Sequence, residues 1–374
     1  MRGVTPTKGS TGQSIVNPSH LEPYPSPLDR ALAPSPGAPA PTVSFVIPLF
    51  NCLALTRACV ESLRATLPPG LPHEIILVDD GSTDGTREWL ASLRAPFQVV
   101  LNERNLGYAT ANNRGVAIAT GEYLALLNND LVLLPRWLEP MLRARRSLGR
   151  RAGLIGNVQV DATTGVIDHA GIIINRNGKP EHDRRPPSLL SRLLTPVRTV
   201  PAVTGACLLL ERSLWHQLGG FDDAYLNGGE DLELCFRARA AGRLNAVALR
   251  SVVRHHVSSS PGRKRRDEEN SCRLARRWRR EFVAAASEAT RDWCREYLGR
   301  TLPEPRSADY VLARRALLHA ARLSARPPPE AVADLEAALD REFARWAELF
   351  GPGTRVIGAP SPAPPGSGQS SLVT

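Results

Sequence analysis

From residue 43 onward, short apolar runs alternate with stretches whose apolar positions recur at helical spacing. VSFVIP (43–48) is a continuous run of strand length, and LALTRACVESLRAT (53–66) has a helical repeat that Pro68 and Pro69 stop. EIILVDD (74–80), FQVVLN (97–102) and EYLALLN (122–128) read as three further strands. Between them lie two helices, TREWLASLR (86–94), with Asp84 or Ser82 available as a cap, and a segment over 107–119 that ends at Gly121. Such alternation predicts a parallel sheet with helices on both faces, which binds ligands at the carboxyl ends of its strands. Beyond it, GLIGNVQV, GVIDHAGIIIN and VPAVTGACLLLE make 153–210 mostly strand, interrupted by a long polar loop over 176–198. A helix over about 230–241, closed by Gly242, leads to a last strand, LNAVALRSVV (244–253). Helical stretches over about 266–299 and 308–349 follow.

Both ends lack this periodicity. Residues 1–41 and 352–374 are rich in Pro, Ser, Thr and Gly and are expected to be disordered tails. The expected organisation is therefore an α/β domain over 42–262 and a helical region over 263–351. In a chain of 374 residues with 42% hydrophobic and 5% aromatic content, the core must rest on Ala, Leu and Val. A formal net charge of +10 suits anionic partners such as nucleotide diphosphates, polyprenyl phosphates or an acidic membrane surface, although most arginines read as ordinary solvated surface. The six cysteines form no C-x-x-C pair, so no zinc knuckle or redox motif is visible, and four of them fall inside apolar stretches as free cysteines do, which suits a reducing, cytoplasmic compartment. MRGVTPTKGSTGQSIVNPSH has no apolar centre and does not read as a secretory signal. The longest apolar runs fall short of the ~20 residues that span a bilayer, so any membrane contact is expected to be peripheral.

Five polar clusters carry candidate chemistry. VDDGSTDGT (78–86) closes a buried strand with two carboxylates, able to accept from a base or a ribose, or simply to cap the next helix. NERNLGYATANNRG (102–115) crowds amides and Arg114 at a helix start, a place that favours anions. LLNNDLVLLP (126–135) sets Asn128, Asn129 and Asp130 after a strand; a carboxylate there suits Mg²⁺ or Mn²⁺ shared with phosphates, or an ordinary turn. In LGGFDDAYLNGGEDLELCFRARAAG (218–242), Glu230 and Asp231 start a helix, either as acids placed by the helix dipole or as a general base. His255 and His256 follow the last strand, where a neutral imidazole could bind a divalent ion.

Taken in order, FVIPLFN (45–51), VDDGSTDGT, NLGYATANNRG, LLNND, TGACLLLER (204–212), GGFDDAYLNGGEDLELCFRARAAG and HHVSSSPG (255–262) resemble the family 2 glycosyltransferases. These stretches cover most of 43–262. LLNND, TGACLLL and EDLEL look like the rhamnosyltransferase-like branch, which builds bacterial polysaccharides. The resemblance implies a GT-A fold, a Rossmann-like mixed sheet flanked by helices, and transfer from a nucleotide-diphosphate sugar to a glycan or lipid-linked acceptor with inversion. It implies that Pro48, Phe50 and Asp80 line the base pocket, that Asp79 supports that loop, and that Arg104, Asn112, Asn128 and Asn129 lie near the nucleotide. By the same likeness Asp130 holds a divalent metal, His256 or His255 completes its shell, and Asp231 is the base with Glu230 beside it. The expected location is cytoplasmic, or peripheral at the inner face of the membrane.

One position departs from the family pattern. Its D-x-D usually opens with an acid, whereas Asn128 stands there and carries no charge. The Q-x-x-R-W signature of processive synthases is missing from its expected place, which implies addition of one or a few sugars. A nucleotidyltransferase would need a Gly-rich basic loop after the first strand, where this chain has PLFNCLALTR, and a dehydrogenase would need G-x-G-x-x-G there. A non-catalytic sugar-nucleotide-binding protein is disfavoured by the presence of both Asp130 and Asp231. No recognised motif points to nucleic acid.

Overall fold

The computed structural model describes residues 42–225, 227–256, 267–300 and 308–351. The two expected tails, and most of the HHVSSSPG stretch, lie outside the described residues.

The expected alternation forms as β1 (Val43–Leu49), α1 (Leu53–Thr66), β2 (His73–Asp79), α2 (Thr86–Ser92), β3 (Phe97–Leu101), α3 (Tyr108–Ala117) and β4 (Tyr123–Leu127). These four strands are parallel and lie in the order β3-β2-β1-β4. β5 (Leu131–Leu133) and α4 (Leu138–Leu148) come next and were not expected. Pro140 obscures the helix in the sequence, yet it sits in the first turn, where a missing N–H costs no intrahelical bond. Leu138, Met141 and Ala144 then face inward at helical spacing.

The second half makes the sheet mixed. β6 (Ala152–Asp161) and β12 (Leu244–His255) run parallel to each other, whereas β11 (Cys207–Glu211) is antiparallel to both β4 and β6. GVIDHAGIIIN divides into β7 (Ile167–His169) and β8 (Ile172–Ile174) at Gly171. That glycine has φ +113°, and a Cβ there would meet Val200 at 2.8 Å. The expected loop over 176–198 instead contains β9 (Pro180–His182), α5 (Leu189–Leu194) and β10 (Val197–Thr199). β9 pairs with β8 in a separate hairpin, and β10 pairs with β12 at the sheet edge. These pieces are too short for a repeat to show in the sequence.

Two apolar layers cover the sheet. Along β1, Phe45 and Ile47 face one layer with Cys59, Leu63 and Met141, while Val46 faces the other with Val116, Leu234 and Phe236, as the two-residue period of a strand requires. After β11, α6 (Arg212–Leu218) and α7 (Glu230–Ala240) close the second layer. The C-terminal helices α8 (Asp267–Arg277), α9 (Arg279–Ala285), α10 (Ser287–Arg300), α11 (Ala308–Ala320) and α12 (Pro329–Phe350) extend it, with Phe282 stacked 5.0 Å from Phe236. Several arginines of this region bond inward: Arg273 to Ala224 O, Arg277 to Asp222 and Glu233, and Arg279 to Asp340. Arg273 and Arg277 thus tie α8 to α7 and the loop before it, and Arg279 ties α9 to α12, so these three are among the arginines with a structural use.

Asn245 ties three elements together. Its amide donates to Pro201 O (3.0 Å) and Cys235 O (2.9 Å), and its Oδ1 accepts from Leu154 N (3.1 Å). Asn245→Leu keeps the volume and strands these buried groups, at a cost on the order of 3 kcal/mol. Urea unfolding should show a lower midpoint with an unchanged slope. An unchanged midpoint would show that these bonds contribute little.

Candidate active site

The carboxyl edge of the parallel strands surrounds a cavity of about 340 Å³. After β1 the chain turns through Asn51 and Cys52, both at positive φ (55° and 59°). Asn51 is fixed there by Ser82 Oγ, which accepts from its N–H (2.8 Å), and by Thr83 N, which donates to its Oδ1 (2.8 Å). This turn leaves Phe50 partly exposed on the cavity wall beside Pro48.

The two carboxylates that end the second strand do different work. Asp79 is buried, accepts from Ser82 N and pairs with Arg87 Nε at 2.8 Å. It supports the turn and does not line the cavity. Asp80 does line it, and accepts from Asn102 Nδ2 (2.7 Å), Leu106 N (2.9 Å) and Gly107 N (2.9 Å). It thereby pins the loop before α3. Gly81 permits this closeness: a Cβ there would sit 2.7 Å from the Arg104 backbone, at φ +85°. Arg104 itself is exposed, and Asn112 is buried inside α3 with its amide on Tyr108 O (2.9 Å). Neither lines the cavity.

Asn128, Asn129 and Asp130 emerge from β4 into the cavity. Asn129 Nδ2 donates to Thr56 Oγ1 at 2.9 Å, and Asn128 Oδ1 is buried with no hydrogen-bond partner among the described residues. His255 Nε2 lies 3.2 Å from Asp130 Oδ1, and His256 donates its backbone N–H to Asp130 O at 3.0 Å. The structure therefore brings the His255 ring against the Asp130 carboxylate and ties the His256 backbone to the same residue. Neither histidine lines the cavity. Among the described residues no group of three or more His, Cys, Asp or Glu is arranged to hold a metal. Asp130 with His255 still fits a divalent ion, because such ions commonly take one or two protein ligands and complete their shell with phosphates and water.

Glu230 and Asp231 reach the cavity from the start of α7, after Gly228 and Gly229. Glu230 Oε2 accepts from Gly228 N at 2.7 Å and so braces its own loop. Asp231 Oδ2 accepts from Gly205 N at 2.7 Å, and its Oδ1 accepts from Leu232 N at 2.8 Å. Ala206 O, one residue further, accepts from Asn128 N at 2.8 Å. Thus two successive residues before β11 fix both the strand-end amide and the helix-start acid.

Other lining residues escaped the sequence reading. Tyr108 donates its hydroxyl to Gly205 O (2.8 Å), and Asn227 Oδ1 accepts from Tyr108 N (3.2 Å). Both lie within stretches already singled out. Glu181 and His182 come from the hairpin, where no periodic signal marks them. Behind His182 lies His169, with ring centroids 4.8 Å apart and both His169 nitrogens buried without a hydrogen-bond partner among the described residues. Burial first, and the nearby His182 next, push the His169 imidazole well below the ordinary histidine value. The His182 ring, with Nδ1 3.8 Å from the carboxylate, and Arg184 at 3.2 Å draw the Asp168 carboxyl down to about 2.

Residues 44–215 match the model of Glycosyl transferase family 2. The chain is 30% identical over 213 residues to the N-acetylglucosaminyl-diphospho-decaprenol L-rhamnosyltransferase of Mycobacterium tuberculosis, covering 51% of this chain and 69% of that protein. It is 32% identical over 233 residues to the O-antigen biosynthesis protein RfbC of Myxococcus xanthus, covering 59% of this chain but 18% of that one. With the protein y4gI of Sinorhizobium fredii it shares 33% identity over 283 residues, 73% of this chain and 30% of the relative. The chain thus spans less than a third of the length of the latter two. Its fold is similar to that of GalNAc-T7, solved with UDP, GalNAc and Mn²⁺, at a TM-score of 0.53 and 20% identity, over 75% of this chain and 55% of that one. That likeness places the mixed sheet and its helices in the GT-A class of folds.

His169 makes a pH prediction. Its folded pKa is depressed, so its neutral form is compatible with the fold and stability is fully present above the unfolded value near 6.5. As pH falls below that value the unfolded chain takes a proton that the native chain refuses, and stability drops by up to ~1.4 kcal/mol per pH unit. Urea midpoints measured between pH 7 and 5 should fall more steeply for the wild type than for His169→Phe. Equal slopes would contradict the buried, neutral assignment.

Proposed function

The chain belongs to Glycosyl transferase family 2, and on that premise we propose that it transfers a sugar from a nucleotide diphosphate to an acceptor hydroxyl with inversion at the anomeric carbon. The observation that carries this reading is the shared cavity, in which a strand-end Asp130 and a helix-start Asp231 converge from elements a hundred residues apart.

Inversion takes one in-line displacement. The acceptor oxygen bonds to the anomeric carbon, the bond to the diphosphate oxygen breaks with its electron pair leaving on that oxygen, and the acceptor proton must be removed. Asp231 is the proposed base. Its two backbone hydrogen bonds fix the carboxylate and leave lone pairs on both oxygens for the acceptor hydroxyl. Glu230, bonded back to Gly228, shapes the loop beside it. Phe50 and Pro48 offer an apolar wall for the base, and Asp80 holds the loop around it. The unsatisfied Asn128 Oδ1 is placed to accept from a ribose hydroxyl, which gives the amide a use in the position where the family usually has an acid. A divalent cation, Mg²⁺ or Mn²⁺, held by Asp130 with His255 would supply charge neutralisation for the leaving diphosphate.

The names of the mycobacterial and Myxococcus relatives support assembly of a cell-surface glycan, on a glycan or lipid-linked acceptor, as the setting. Among the described residues no helix is long and apolar enough to cross a membrane. We place the reaction in the cytoplasm, with peripheral access to the inner face of the membrane.

Turnover with a panel of UDP-, dTDP- and GDP-sugars should fall ~10²–10⁴-fold in Asp231→Asn, while the nucleotide still raises the melting temperature as in the wild type. Loss in Glu230→Gln with none in Asp231→Asn would reverse the two roles. Removal of divalent ions with EDTA, or Asp130→Ala, should abolish the thermal shift produced by the nucleotide diphosphate. An undiminished shift in EDTA would overturn the metal assignment.

A further inference from the structure

Between the cavity wall and the sheet edge the chain passes through α5, LLSRLL. At 100° per residue, Leu189, Leu193, Leu190 and Leu194 share one arc of about 140°, opposite Ser191 and Arg192. Water should drive the leucine arc inward, yet the reverse is found. The four leucines are 75, 57, 64 and 71% exposed in that order, while Ser191 and Arg192 are half-buried.

Polar bonds at both ends hold the helix in this attitude. Ser188 Oγ accepts from Ser191 N at 3.1 Å. Arg250 donates Nε to Arg192 O (2.6 Å) and Nη2 to Leu193 O (3.1 Å). Arg250 reaches them from the irregular stretch of β12 between Ala248 and Val252. Four adjacent outward leucines form an apolar patch of the few-hundred-Å² class that marks interaction surfaces.

The surroundings of the patch are cationic. Arg184 is 70% exposed, though it reaches Asp168, and Arg250 spends its bonds on carbonyls. The nearby Asp183 is matched by Arg185 and Arg198. Leucines rimmed by guanidinium groups, on a chain of net charge +10, match a lipid interface in which apolar side chains enter the acyl boundary and arginines meet phosphates. We propose that α5 docks the protein on an anionic lipid surface, with the exposed Arg184 and Arg250 as the phosphate-facing rim. Leu189 is seven steps along the chain from His182 on the cavity wall, so the anchor lies within ~25 Å of the site. A lipid-linked acceptor would then meet the cavity near the interface. The inference concerns binding alone and stands apart from the transfer reading, since its test uses neither donor nor turnover.

The test is flotation of the full chain with phosphatidylcholine vesicles, with and without phosphatidylglycerol. Binding is expected to phosphatidylglycerol vesicles at low salt, weaker binding at high salt, and little to phosphatidylcholine alone. Leu189→Ser with Leu193→Ser should weaken partitioning at least ~10-fold at an unchanged melting temperature, because both side chains point outward. Leu189→Ile with Leu193→Ile should retain it, which keeps the test valid if the serine pair folds poorly. No flotation of the wild type, or equal flotation of the serine pair, would overturn the proposal. So would a concentration-dependent dimer that the serine pair abolishes in the absence of vesicle binding, since it would assign the patch to a protein partner.

Discussion

The arrangement of the site depends on two peptide units, Gly205 and Ala206. Because β11 runs against its neighbours, its first residues lie at the carboxyl edge of the parallel strands instead of the far edge. There Ala206 O holds Asn128, Gly205 N holds Asp231, and Gly205 O holds Tyr108. A side chain at 205 would crowd that junction, with Tyr108 Oη 3.0 Å and Asp231 Cβ 3.4 Å from its Cβ. A single antiparallel strand thus brings an acid on α7 into the cavity shared with the end of β4.

The C-terminal helices belong to the same construction. The β8–β9 hairpin supplies Ile172, Pro180, Glu181 and His182 to the cavity, and those helices hold it from behind. Lys179 pairs with Glu342 at 3.1 Å and Arg185 with Glu288 at 3.1 Å, while Gly178 leaves no room for a Cβ against Leu339. Salt bridges this exposed contribute little singly. Gly178 and Leu339 make the tighter constraint, since any side chain at 178 would have to displace a buried leucine.

The parallel half of the sheet was legible because each strand is a continuous apolar run and each helix has a clear repeat. Its strand-end clusters were legible for the same reason: Asp80, Asn128 and Asp130 follow buried runs, where polarity stands out. The likeness to known transferases made Asp231 legible as well. It also divided the adjacent Asp79 and Asp80 between loop support and the cavity, and the fold adds Arg87 as the partner of Asp79. Two features were not legible. Short pieces such as β5, β9 and β10 are set by tertiary pairing, which no local period records. His169 is an ordinary residue in the sequence and becomes unusual only once the fold buries it beside His182.

The central claim is that Asp231 serves a direct displacement from the cavity shared with Asp130. The anomeric configuration of the product, read by proton NMR at the start of the reaction with whichever donor of the sugar-nucleotide panel is turned over, tests it most directly. A product of opposite configuration to the donor is the predicted result. A product that retains the donor's configuration would require a second displacement or a different geometry, and would contradict the account.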